Sequence, residues 1–170
     1  MSGGPARARD GTMSLMVACA DEVFERNRPL IEALSSKVFR IGQRPGDGSR
    51  TKLVNNLLAA INLVGAAEVL ALAQRMGLSL SSTLDVIEQS SGQSWIASDR
   101  MRRAIAGDYE PRAHMTLLQK DTRLALEAAE AAGFLGPLGP PARDAFERAA
   151  QSGLAGLDDA ALFKWLSGPG

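Results

Sequence analysis

Lys52-Leu53-Val54-Asn55-Asn56 leads into Leu57-Leu58-Ala59-Ala60-Ile61-Asn62-Leu63-Val64-Gly65-Ala66-Ala67-Glu68-Val69-Leu70-Ala71-Leu72-Ala73, and this run decides the fold. It is far longer than a strand and apolar around its whole circumference, so it reads as one long helix to about Met76, with Gly77 as the residue past its C-cap. A soluble helix of this kind is buried on every side, in a domain centre or against a second subunit. A chain of 170 residues rarely surrounds so long a helix alone, and the expectation is a homo-oligomer, at least a dimer, formed through it. Asn62, Gly65, Glu68 and the alanines leave the run short of the ~20 apolar residues that cross a bilayer, so a helix buried in protein is expected, not a membrane span.

The start of the run is electrostatically odd. Peptide dipoles place partial positive charge at a helix N-terminus, where an ammonium such as that of Lys52 is repelled and a carboxylate is favoured. The same field, with partial desolvation, favours proton exchange near neutral pH. Asn56 follows Lys52 by one turn and shares its face.

Working upstream, residues 1–11 read as an exposed loop. Thr12 to Ala18 reads as a strand with Met13, Leu15 and Val17 on one face, and Lys37 to Ile41 as a second strand. Asp21 to Leu34 between them is an amphipathic helix with Pro29 as a candidate kink. Asp47 or Ser49 can cap the long helix. Downstream, helices are expected from about Leu80, over Ile96 to Ala106, Met115 to Ala132, Pro140 to Gln151 and Asp158 to Leu166, with Ser90-Ser91-Gly92-Gln93-Ser94-Trp95 as an interruption. The fold class is mainly α: an all-helical domain over 46–170 with a long buried central helix, preceded by a small strand-helix-strand α/β remnant over 1–45.

Composition excludes several classes of function. Acidic and basic side chains balance at 19 each, which gives no electrostatic footprint for nucleic acid. His114 is the single histidine, too little for a zinc site, and no metal is expected. Cys19 is the single cysteine, which fits a reducing cytosol, and Met1 to Asp10 lacks the apolar core of a signal peptide, so the expected location is cytoplasmic.

Four motifs, in this order and spacing, resemble the β-hydroxyacid dehydrogenases, the family of 3-hydroxyisobutyrate dehydrogenase and tartronate semialdehyde reductase. They are Ser2-Gly3-Gly4 followed by Gly11-Thr12 and a strand, Lys52-Leu53-Val54-Asn55-Asn56, Ser90 to Trp95, and Lys120-Asp121. The resemblance implies hydride transfer between NAD or NADP and a small 3-hydroxy acid. Lys52 is then the general acid/base, and Asn56 holds the substrate beside it. Ser2, Gly3 and Gly4 receive the substrate carboxylate, and Lys120 lies near the nicotinamide.

The family's Gly-rich βαβ segment lies upstream of Ser-Gly-Gly, and this chain has no G-x-G-x-x-G before a helix. The chain alone is therefore expected to bind NAD(P) very weakly and to turn over little or nothing. Met1 stands where the family often has valine, which suggests a reading frame that continues upstream. Plainer alternatives stay open. Lys52 and Lys120 as solvated lysines, Asn55 and Asn56 as polar groups of the helix start, Ser2-Gly3-Gly4 as a loose tail, Trp95 as a loop anchor, Arg7 and Arg9 as a solvated basic spot and His114 as a structural residue all fit the sequence. A non-catalytic helical oligomerisation module of the same fold is the rival function.

Overall fold

The computed structural model describes residues 1–168, and the chain divides into a unit ending at Asn55 and a unit beginning at Asn56. The division falls inside one continuous helix.

In the first unit β1 (Ser14–Ala18) and β2 (Lys37–Gly42) pair in parallel, with Ser14 opposite Lys37 and Val17 opposite Arg40; the register slips so that Ala18 meets Gly42. Parallel neighbours need a crossover, supplied by α2 (Asp21–Leu34). Asp21 and Glu22 place carboxylates in its first turn, where the helix dipole favours them, and Pro29 is accommodated inside it. Phe24 is its buried anchor, with the Arg40 and Arg28 guanidiniums 4.9 Å and 5.3 Å from its ring centre. The Ser35 hydroxyl donates to the Met13 carbonyl and accepts from the Lys37 amide at 3.1 Å, which ties the two strand starts together.

The segment expected as a loop contains a short helix, α1 (Gly4–Arg9). Pro5 in its first turn has its φ fixed for a helix and lacks an N–H that would go unpaired there, a signal that outweighed the Gly and Arg content. The Thr12 amide then donates to the Arg7 carbonyl at 2.9 Å, so the strand begins at Ser14 and not at Thr12.

The long helix, α3 (Asp47–Arg75), starts at Asp47, whose carboxylate accepts from Arg50 at 2.7 Å and pairs with Arg44 at 3.0 Å. Buried Gly48 in its first turn presses on β1: a Cβ there would lie 2.4 Å from the Met16 carbonyl oxygen.

In the second unit α3 is followed by α4 (Leu80–Glu88), α5 (Trp95–Ile105), α6 (Met115–Ala131) and α7 (Gly139–Ala149). A π-type turn (Ala150–Leu154) with Gly153 at φ 88°, a 3-10 turn (Asp159–Ala161) and α8 (Leu162–Ser167) complete it. Ala60, Leu63, Ala67 and Leu70 of α3 pack with Leu84, Met101, Met115, Phe146 and Leu162, one or more from each following helix. Among the described residues only that face of α3 is covered; Leu58, Val69 and Leu72 are exposed. By length and composition α3 is sufficient to cross a membrane, contrary to the expectation from its alanines and polar residues. Its fully buried Ala60, Leu63, Ala67 and Leu70 row, however, is spent on the other helices of this unit.

The far end of the unit is held by a buried ionic network. Asp158 accepts from Arg103 Nη2 at 2.9 Å and from the backbone amides of Arg112, Ala113 and Ala160 at 2.8, 3.1 and 3.0 Å. Burial alone would raise its pKa, but these four donors outweigh it and hold the group well below the usual carboxylate range. Next to it, burial pushes Asp159 up to about 7, against the pull of Arg100 Nε at 2.5 Å.

Two outcomes follow from these contacts. Gly48→Ala drives a methyl group into a backbone carbonyl and should cost about 1–3 kcal/mol, read as a lower urea midpoint; an unchanged midpoint would refute the close approach. For pH, Asp158 is depressed, so its contribution is present above about pH 4 and is lost on acidification below that. Asp159 is raised, so its contribution is fullest below about pH 4 and is lost as pH rises toward about 7. Asp159→Asn, which cannot ionise, should therefore gain stability relative to the parent between pH 4 and pH 8, measured as a growing Tm difference.

Candidate functional site

Positions 48, 52, 56 and 60 form one i, i+4 row along α3. The row starts at Gly48, packed on β1, and ends at Ala60, fully buried. Lys52, in the first unit, and Asn56, in the second, lie between them along the helix, and both are half-buried. Asn55 is exposed, off this row. Because α3 begins at Asp47, Lys52 lies in its second turn. The field of the helix end, confined to the first turn, is small there. The expected dipole effect on Lys52 gives way to its placement.

Within the first unit Ser2 is tied to β1 by two hydrogen bonds, its amide to the Ser14 carbonyl at 2.9 Å and the Ser14 amide to its carbonyl at 2.8 Å. The segment is therefore an ordered strand-like pair, not a tail. Gly3 follows at φ 137° and Gly4 at φ 67°, backbone conformations that side chains disfavour, and a Cβ on Gly3 would meet Arg7 Cδ at 2.9 Å.

Within the second unit three side chains meet. Asn56 Nδ2 donates to Asp121 Oδ2 at 2.6 Å, and Lys120 Nζ lies 3.0 Å from Asp121 Oδ1. Asp121 is buried while Lys120 remains half-exposed, so a buried carboxylate orients one amide and pairs with one half-exposed ammonium. Asp121 sits on the core face of α6 with Met115, Leu118, Thr122 and Ala125. The sequence reading took Asp121 only as the second member of the Lys-Asp motif and missed its hold on Asn56. An acidic residue in step with Leu118 and Ala125 was the available signal, because a buried charge requires partners. Of the Ser90 to Trp95 stretch, Ser94 caps α5 by accepting from the Ala97 amide at 3.3 Å, and Trp95 opens that helix half-exposed.

A βαβ segment, a long helix carrying a lysine and an amide one turn apart, and a helical bundle follow one another along the chain. The family model described as NAD-binding of NADP-dependent 3-hydroxyisobutyrate dehydrogenase matches residues 46–166, and the NAD binding domain of 6-phosphogluconate dehydrogenase matches residues 1–42. The chain belongs to the β-hydroxyacid dehydrogenase family.

The L-threonate dehydrogenase of Escherichia coli K12 is 39% identical over 168 residues, which are 99% of this chain and 56% of that protein. The 3-hydroxyisobutyrate dehydrogenase of Pseudomonas aeruginosa PAO1 is 36% identical over 177 residues, 99% of this chain and 59% of that protein. Among solved structures, the 3-hydroxyisobutyrate dehydrogenase of Salmonella typhimurium aligns with a TM-score of 0.90 at 36% identity, covering 96% of this chain and 57% of that one. The Mycobacterium tuberculosis 3-hydroxyisobutyrate dehydrogenase with L-serine aligns at 0.87 and 30% identity, covering 97% and 58%. The chain thus spans a little over half the length of these relatives.

The geometry separates the two members of the Lys-Asp pair. Asp121→Asn weakens both contacts of a buried carboxylate and should destabilise the helical unit by about 1–3 kcal/mol in urea unfolding. Lys120→Met removes a half-exposed partner and should cost less than ~1 kcal/mol. Equal effects would contradict the arrangement.

Proposed function

We propose that this chain supplies the substrate-holding and proton-moving part of an NAD(P)-dependent dehydrogenase acting on a small 3-hydroxy acid. The observation that carries the reading is the bond from Asn56 to buried Asp121. A helical unit with no chemistry to perform gains little from burying a carboxylate that orients an amide, since an apolar pair of the same size is at least as stable. The bond fixes the rotamer of Asn56, and Lys52 stands one turn earlier on the same face.

Lys52 Nζ takes the proton from the substrate hydroxyl in oxidation and returns it in reduction. Asn56 hydrogen-bonds the same end of the substrate and holds it against the lysine. The substrate carboxylate is received by the Ser2 hydroxyl with the Gly3 and Gly4 amides. The Ser2 amide donates to the Ser14 carbonyl and is not one of these donors.

NAD(P) has only part of a site among the described residues. The turn from β1 to α2 reads Cys19-Ala20-Asp21, without a glycine, and α2 opens with Asp21 and Glu22. The Gly-rich turn that seats a pyrophosphate is the first strand-to-helix turn of a dinucleotide fold, which the resemblance puts upstream of Ser2. The residues present do not fit the phosphate half of the cofactor, and Lys120 is proposed only for its nicotinamide end. We place the protein in the cytoplasm on its single cysteine and its family.

The test is NAD(P)H absorbance with L-threonate and 3-hydroxyisobutyrate. The chain alone should be inactive. A chimera carrying the Gly-rich βαβ segment of the Escherichia coli relative should turn over, and Lys52→Ala in it should lose about 10²–10⁴ in rate. A chimera that stays inert while it binds NAD(P) would overturn the reading.

A further inference from the structure

Two adjacent aspartates fasten the last described segment to α5. The regular helix breaks at Ser152 and Gly153, and the chain returns through Leu157, Asp158 and Asp159 into α8. Three backbone amides dock that return: Met115 donates to the Leu157 carbonyl at 2.9 Å, Asp158 to the Tyr109 carbonyl at 3.1 Å and Asp159 to the Ala113 carbonyl at 2.9 Å. The carboxylates of Asp158 and Asp159 then meet Arg103 and Arg100, whose side chains are largely buried.

The two carboxyl groups are not equivalent. Asp158 accepts two hydrogen bonds on each oxygen, from Arg103 Nη2 and the Ala160 amide on one and from the Arg112 and Ala113 amides on the other. Four donors fill the acceptor sites of a carboxylate, so this group is an anion with no place for a proton. Asp159 is buried next to it and is held by Arg100 Nε at 2.5 Å, but the same guanidinium also donates to Asp99. Arg100 and Arg103 are already balanced by Asp99 and Asp158. Asp159 is the fifth group, and the cluster is neutral only while Asp159 keeps its proton.

We infer that Asp159 is a proton-operated clasp: protonated, it holds the 3-10 turn and α8 against α5, and its ionisation puts one uncompensated negative charge in the interior and releases residues 157–167 ahead of the rest of the unit. Burial pushes Asp159 up to about 7, against the pull of Arg100, so the exchange falls near neutrality. Among the described residues Arg103 Nε and Nη1 are buried with no hydrogen-bond partner, a desolvation cost already built into the cluster.

The other charged groups around the turn are engaged elsewhere or exposed. The Arg112 guanidinium pairs with Asp108 at 2.8 Å, and the Lys164 ammonium of α8 lies 5.7 Å from the centre of the Tyr109 ring. On α6 Lys120 pairs with Asp121 and Arg123 with Glu127, while Glu110 and His114, the latter opposite Asp158 in a backbone bridge, are exposed. The clasp also grips the entry to α6, because Asp158 holds the Arg112 and Ala113 amides just before that helix. The inference stands apart from the catalytic reading, since neither aspartate belongs to the proposed site.

Hydrogen exchange of the whole chain, followed by mass spectrometry from pH 5 to pH 9 and corrected for intrinsic rates, reads the clasp directly. Opening returns Asp159 to an ordinary carboxyl and so releases one proton; protection of residues 157–167 should fall about 10-fold per pH unit up to about pH 7 and level off above it. At pH 8 these residues should exchange at least ~10-fold faster than Leu63 and Leu70 in the core of α3. Asp159→Asn, which cannot ionise, should keep residues 157–167 at their acid level of protection at every pH, and His114→Gln should leave the parent's slope unchanged. Protection of residues 157–167 that ignores pH, or that equals the protection of Leu63 and Leu70 at pH 8, would overturn the proposal. So would a slope that survives Asp159→Asn or vanishes in His114→Gln.

Discussion

A helix of 29 residues with one charged side chain between Leu53 and Gln74 has to be covered along most of its length, and the architecture of this chain is the answer to that constraint. The face through Leu63, Ala67 and Leu70 draws in every later helix, so the second unit is in effect a coat for one side of α3. Where the row of that helix turns polar, at Lys52 and Asn56, a buried carboxylate on α6 meets the amide. The packed face of α3 and the Asn56–Asp121 bond therefore lie on the same side of one helix.

Much of this was legible in the sequence because the signals were local. The period of α2, the glycine after Met76 and the alternation of β1 and β2 depend on neighbours within a few residues, and the elements lie where those patterns place them. Boundaries failed where a weaker local signal won. Pro5 stands in the first turn of α1 in a stretch read as loop, and α3 begins at Asp47, early enough to put Lys52 outside the first turn.

The site was legible as residue types but not as geometry. Asn56 and Asp121 are 65 positions apart, and no periodicity within either helix predicts their bond. The same holds for Asp158, whose donors come from α5 and from the loop before α6. A family resemblance supplied the names of the participants. The packing of α6 on its core face explains why the acid of the Lys-Asp pair carries the orientation while the lysine remains half-exposed.

In the proposed function the amine of Lys52 moves the proton. Amine rescue tests it most directly: in the chimera carrying a complete dinucleotide segment, Lys52→Ala should be slow, and added small primary amines should restore turnover in proportion to their basicity. A Lys52→Ala protein that already matches the parent rate and ignores added amine would contradict the account.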